Sequence, residues 1–148
     1  MSPESILDAL DLSPPEMGYV ALFHASNSEF EWPCYASVKA NRTGHENGLL
    51  GLWCGVEGDW VENFGAIKYE IQAAGLIRQI EIGALTNMGG DPQYFERVRE
   101  ALLHDGCEIL RIVELDGRSA MSIIVNLGCI HSCEKLMEVQ TLDMKPGA

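Results

Sequence analysis

The chain has 148 residues, which suits one domain with a sizeable core. Its 47% hydrophobic and 22% charged residues are the balance of an ordinary globular protein rather than of a disordered or fibrous one. Twenty-two acidic against ten basic residues give a formal charge of −12, which repels phosphate backbones and argues against direct nucleic-acid binding.

Residues 3–12 predict a short helix, with Ser2 as its N-cap, Ile6, Leu7 and Leu10 as an apolar face, and Pro14 and Pro15 as its stop. This N-terminus lacks the basic start and long apolar run of an export signal, and no window of eighteen apolar residues follows, so no membrane span is expected. Residues 19–23, "YVALF", read as a buried strand that delivers His24 to the mouth of a loop. Residues 25–48 carry no clear period and predict a long functional loop, with a short strand near 35–38. "GLLGLWCG" is a second buried strand between glycines. "GDWVENFG" is a helical turn, with Asp59 as cap and Trp60 and Phe64 on one face at i and i+4.

"AIKYEIQA" alternates Ile67, Tyr69 and Ile71 with Lys68, Glu70 and Gln72, the period of a half-exposed strand, and "LIRQIEI" continues it. "DPQYFERVREALLHDG" is the strongest helix: Asp91 caps it, Pro92 suits its first position and Gly106 ends it. "CEILRIVELDG" and "AMSIIVNLGCI" are two strands joined around Asp116-Gly117, a hairpin signal. The polar tail from Glu134 onward is expected to be peripheral, and there is no internal repeat. Many strands with one main helix make an α+β protein with a mainly antiparallel sheet.

Five cysteines at irregular spacing, in a chain without an export signal, read as reduced thiols. Cys129, His131 and Cys133 in "CIHSC" share one face if extended, but zinc takes four ligands and the paired C-x-x-C spacing is missing. Packing as small apolar groups is therefore preferred to a metal site. "GLLGLWCGVEG" lacks the lysine and hydroxyl of a P-loop and the strand–GxGxxG–helix setting of a dinucleotide fold. The informative set is His24, Trp53 and Glu114, each on a strand segment. An imidazole hydrogen-bonds ribose hydroxyls, an indole stacks on a flat heterocycle, and a carboxylate stabilises developing oxocarbenium charge. Those are the groups needed to hold NAD and break its bond to nicotinamide.

The order "LFHAS", "GLWC", "NFG", helix, "DGCEILRIVELDG", "IIVNLGCI" resembles small ADP-ribosyltransferase domains of the His–Tyr–Glu type, which include the anti-CRISPR ADP-ribosyltransferases of phages. The match runs over roughly residues 19–131, and the order of the motifs carries it more than any one of them. The resemblance implies a single domain over 1–148, with 1–18 as helix and linker and 134–148 as tail. It also implies two small, mainly antiparallel sheets forming a cleft, with one main helix and short peripheral helices. NAD would be the co-substrate. His24 and Glu114 would be catalytic, and His24, Ala25, Ser26, Trp53 and Arg42 would bind the dinucleotide. Within that set His24 would meet a ribose, Trp53 would stack on the nicotinamide, and Arg42 would face the pyrophosphate by charge. Trp53 stands where the family has tyrosine and lacks its hydroxyl, and Asp116 rivals Glu114 as the acid.

The implied activity is mono-ADP-ribosylation of a protein, for instance a nucleic-acid-binding host protein, by a phage effector in the bacterial cytoplasm. Two other readings stand beside it. One is an inactive binding protein of the same fold that blocks a basic partner with its acidic surface. The other is a thiol or metal protein built on Cys129, His131 and Cys133.

Overall fold

The computed structural model describes residues 2–26, 29–40, 46–56 and 67–138. Helix α1 (Pro3–Leu10) begins at Ser2, whose Oγ accepts the Ser5 N–H at 3.2 Å, and it buries Ile6 and Leu10. Strand β1 (Glu16–Ser26) is longer at both ends than the expected 19–23, because all eleven of its residues pair antiparallel with β3 (Ile67–Glu81). Helix α2 (Tyr35–Ala40) stands where a short strand was expected. A helical turn places Tyr35 and Val38 on one side, and both pack against the same core, which an extended segment would not allow. A 3-10 turn (Glu46–Leu50) leads into β2 (Leu52–Gly55). Between them Gly51 has φ +155, and any Cβ there would strike the Ile124 carbonyl. The turn expected around Asp59, Trp60 and Phe64 lies outside the described residues.

The two segments "AIKYEIQA" and "LIRQIEI" form one strand, β3, of fifteen residues. A short helix α3 (Ile82–Thr86) follows it, and then α4 (Pro92–Asp105). As its sequence predicts, α4 is capped by Asp91, whose Oδ1 accepts the Gln93 N–H at 3.0 Å, and is ended by Gly106 at φ 88. Strands β4 (Ile109–Val113) and β5 (Met121–Ile124) form the expected hairpin, with Gly117 at φ 81 and Asp116 Oδ1 accepting the Arg118 N–H. A second 3-10 turn (Leu127–Cys129) leads into β6 (Ile130–Glu138). Of the segment expected as a tail, Glu134 and Lys135 belong to β6, exposed at the edge of the sheet, and oppose Glu70 and Tyr69 of β3, while residues from 139 onward lie outside the described residues.

The strands close on themselves in the order β1–β2–β5–β4–β3–β1, a five-stranded barrel, with β6 added beside β3. This overturns the expected pair of small sheets flanking an ADP-ribosyltransferase cleft. The cause is β3. One of its edges takes β1, while the other takes β6 up to Ala73 and then β4 from Ile77, so a single long strand joins every part of the sheet. At the change of partner the Leu76 N–H donates to Glu108 Oε1 at 3.1 Å, and Gly75 has no side chain to collide with that carboxylate. Pairing is antiparallel except between β3 and β4, which the α3–α4 crossover joins in parallel.

Alternation gives the sheet two apolar faces. The barrel interior holds Leu22, Leu52, Cys54, Tyr69, Ile71, Ile109 and Ile124. The outer layer sets Ile80, Leu110, Ile112 and Ile123 against Ile6 and Leu10 of α1 and Phe95, Val98 and Leu102 of α4. Each such side chain contributes about 1.5–3 kcal/mol on burial.

Candidate functional site

The end of the barrel at His24 is where the expected site and the fold coincide. His24 lies directly opposite Tyr69, so both rings point inward. Its Nδ1 lies 2.7 Å from the Trp53 carbonyl oxygen, and because a carbonyl only accepts, Nδ1 carries the proton. Burial pushes the His24 pKa below 6.5, and the bond to Trp53 opposes this to a smaller extent. The ring is thus held neutral, with its Nε2 lone pair as the remaining polar position. Phe30 packs beside them: it stacks on Tyr69 with centroids 4.2 Å apart and lies 6.1 Å from the His24 ring. Its N–H donates to the Tyr69 hydroxyl at 2.9 Å. Tyr35 packs against the same core, its hydroxyl donating to the Leu49 carbonyl at 2.7 Å and its ring lying 3.6 Å beneath the Arg99 guanidinium.

The other residues of the expected site are spread over the fold. Ser26 is on the face of β1 that carries His24, whereas Ala25 is on the opposite one, facing Lys68 across the strands. Trp53 offers His24 its backbone, but its indole packs into the layer beneath the helices, on the other side of the sheet from the imidazole. Glu114 lies beyond the end of β4 in the hairpin turn, where its N–H donates to the Arg118 carbonyl at 2.8 Å. Trp53 pairs with Ile123 and Ile123 with Leu110, so Glu114 is four residues farther along, about 13 Å of strand. Asp116 closes the turn through the Arg118 N–H. Arg42 lies outside the described residues. The structure therefore brings His24 together with Phe30 and Tyr69, and not with the Trp53 ring or Glu114. The alternation of residues 67–71 places Tyr69 on an inward face, but only strand pairing shows that this face meets His24.

All five cysteines are free thiols. Cys54, Cys107 and Cys129 are buried, and loss of hydration pushes Cys107 up to about 12 and Cys129 up to about 11, which suits them as small apolar core groups. Burial raises Cys54 further, with the nearby Cys133 and Cys129 adding to the shift. His131 is exposed while Cys129 is buried, so "CIHSC" does not converge, and no metal-binding group of three ligands occurs among the described residues. Among those residues no helix is long and apolar enough to cross a membrane.

No family model and no curated protein matches the chain. Among solved structures it is similar to one described as a crystal structure of an anti-CRISPR protein, with TM-score 0.48 and 13% identity, over 80% of this chain and 96% of that one. At that depth the likeness decides neither fold nor function for this chain.

Proposed function

We propose that this chain acts by binding, engaging a basic partner protein through its acidic surface, and that its setting is anti-defence, against a nucleic-acid-binding protein of a bacterial host. The observation that carries this reading is the charge of −12 over 148 residues. A field of that sign steers and holds a positively charged surface, such as one made to grip a nucleic-acid backbone. The dispersal of His24, the Trp53 indole and Glu114 over two faces and one turn supports binding over NAD-dependent ADP-ribosylation, which needs those groups around one dinucleotide.

One experiment separates the two readings. The protein is mixed with purified basic defence proteins in the presence of NAD, and complexes are isolated at low and high salt. The expected result is a stoichiometric complex, weakened by salt, whose partner keeps its mass. Free nicotinamide together with an ADP-ribose mass increase on the partner, both abolished by Glu114→Gln, would replace the binding reading with the transferase one.

A further inference from the structure

The helices cover only part of the barrel's outer surface. On β1, Met17, Tyr19, Ala21 and Phe23 point outward, and Met17 is 71% and Tyr19 59% exposed. Across the strands Met17 and Tyr19 face Leu76 and Ala74 of β3, while Ala21 and Phe23 face Gln72 and Glu70, so an apolar patch at one end of this face gives way to polar side chains towards the other. Glu70 in turn lies directly opposite Glu134 of β6. Two carboxylates in register on one face repel each other and weaken a strand pair. Neither has an ion-pair partner among the described residues. The neighbouring cations are engaged: Lys68 lies over the Phe23 ring at 5.3 Å, and Lys135 pairs with Glu29 at 2.9 Å.

We propose that this open sheet face is a docking surface for a basic partner protein, with the Met17–Tyr19 strip meeting apolar side chains and the Glu70–Glu134 pair receiving an arginine. It rests on the binding reading above and gives that reading a place on the molecule. Charge chooses the occupant. A guanidinium between the two carboxylates removes a repulsion that the isolated protein carries. A second copy of the chain would instead bring four carboxylates together and join two molecules of charge −12.

The test uses a short peptide rich in arginine and leucine, and a control in which every leucine is serine. Both are titrated into nitrogen-15-labelled protein. Amide shifts should concentrate along residues 17–23 and at Glu70 and Glu134, and the leucine peptide should bind more tightly than the serine one. The double variant Glu70→Gln/Glu134→Gln should weaken the leucine peptide about fivefold, and Tyr19→Ser should weaken it too, both with an undiminished thermal midpoint. Shifts that map elsewhere, with the double variant binding normally, overturn this face while leaving the acidic-surface reading standing. Failure of both peptides to bind overturns that reading as well. A concentration-dependent dimer abolished by Tyr19→Ser would make the occupant a second copy and overturn the proposal.

Discussion

The two ends of β3 share one strand and one alternation, yet their outer faces meet different surroundings. Towards Glu81, Ile80 is fully buried beneath the helices, and Arg78 Nε reaches Asp105 Oδ2 at 2.8 Å at the end of α4. Towards Ile67, Lys68, Glu70 and Gln72 on the same outward side are only half-buried and no helix lies over them among the described residues. The inner side is buried along both ends, from Ile67 to Ile77. The difference teaches that a period of two marks which side chains share a face, while the route of the chain decides what covers that face. The crossover from β3 to β4 leaves and returns at the Glu81 end, so α4 covers that end and leaves the other open.

Substitutions along β3 sharpen this contrast. Ile80→Ala should cost about 2–5 kcal/mol in denaturant unfolding, as expected for a filled core position, whereas Gln72→Ala should stay within about 0.5 kcal/mol. Equal losses at the two positions would mean that the ends are covered alike. Gly75→Ala, at the change of partner between β6 and β4, forces a Cβ against the Glu108 carboxylate that holds the Leu76 N–H, and should cost about 1–3 kcal/mol. A loss no larger than that of Gln72→Ala would show that the junction yields freely.

On the inner side of the Ile67 end lies His24, opposite Tyr69, which should make stability depend on pH in one direction. Its folded pKa lies below 6.5, so the unfolded chain takes up the proton first. Its contribution is complete above that value and is lost as pH falls through it, by at most about 1.4 kcal/mol per pH unit. His24→Gln should flatten that slope between pH 7 and pH 5, and an unchanged slope would place the titration on another group. The smallest effect is expected at Glu70→Gln, which should leave stability unchanged or raise it by up to about 0.5 kcal/mol, by relieving repulsion from Glu134. A clear loss of stability there would show that the carboxylate serves the fold.

Elements specified by neighbouring residues are legible in the amino-acid sequence alone. Asp91, Pro92 and Gly106 bracket α4, Ser2 caps α1, Asp116-Gly117 makes the hairpin, and the alternation after Ile67 makes β3. The elements that depart from expectation are those whose form depends on distant partners. Tyr35 and Val38 lie on a helix because the barrel core is their common neighbour, and the polar segment from Glu134 is a strand because β3 offers it an edge. The same holds for the expected site. His24 does lie towards the end of a strand, as its sequence neighbours imply, but its distance from the Trp53 ring and Glu114 follows from the register among β1, β2, β5 and β4, which no local pattern carries.

By itself the sequence determined the charge, the helix ends, the turn residues and the faces of the strands, because each arises from residues within a few positions of one another. Only the tertiary structure decided that the sheet closes into a barrel, that Phe30 stacks on Tyr69 beside His24, and that Met17 and Tyr19 stay exposed on the same sheet face as Glu70 and Glu134. Those outcomes depend on which strand edges meet, and that is settled by the burial of two whole faces at once.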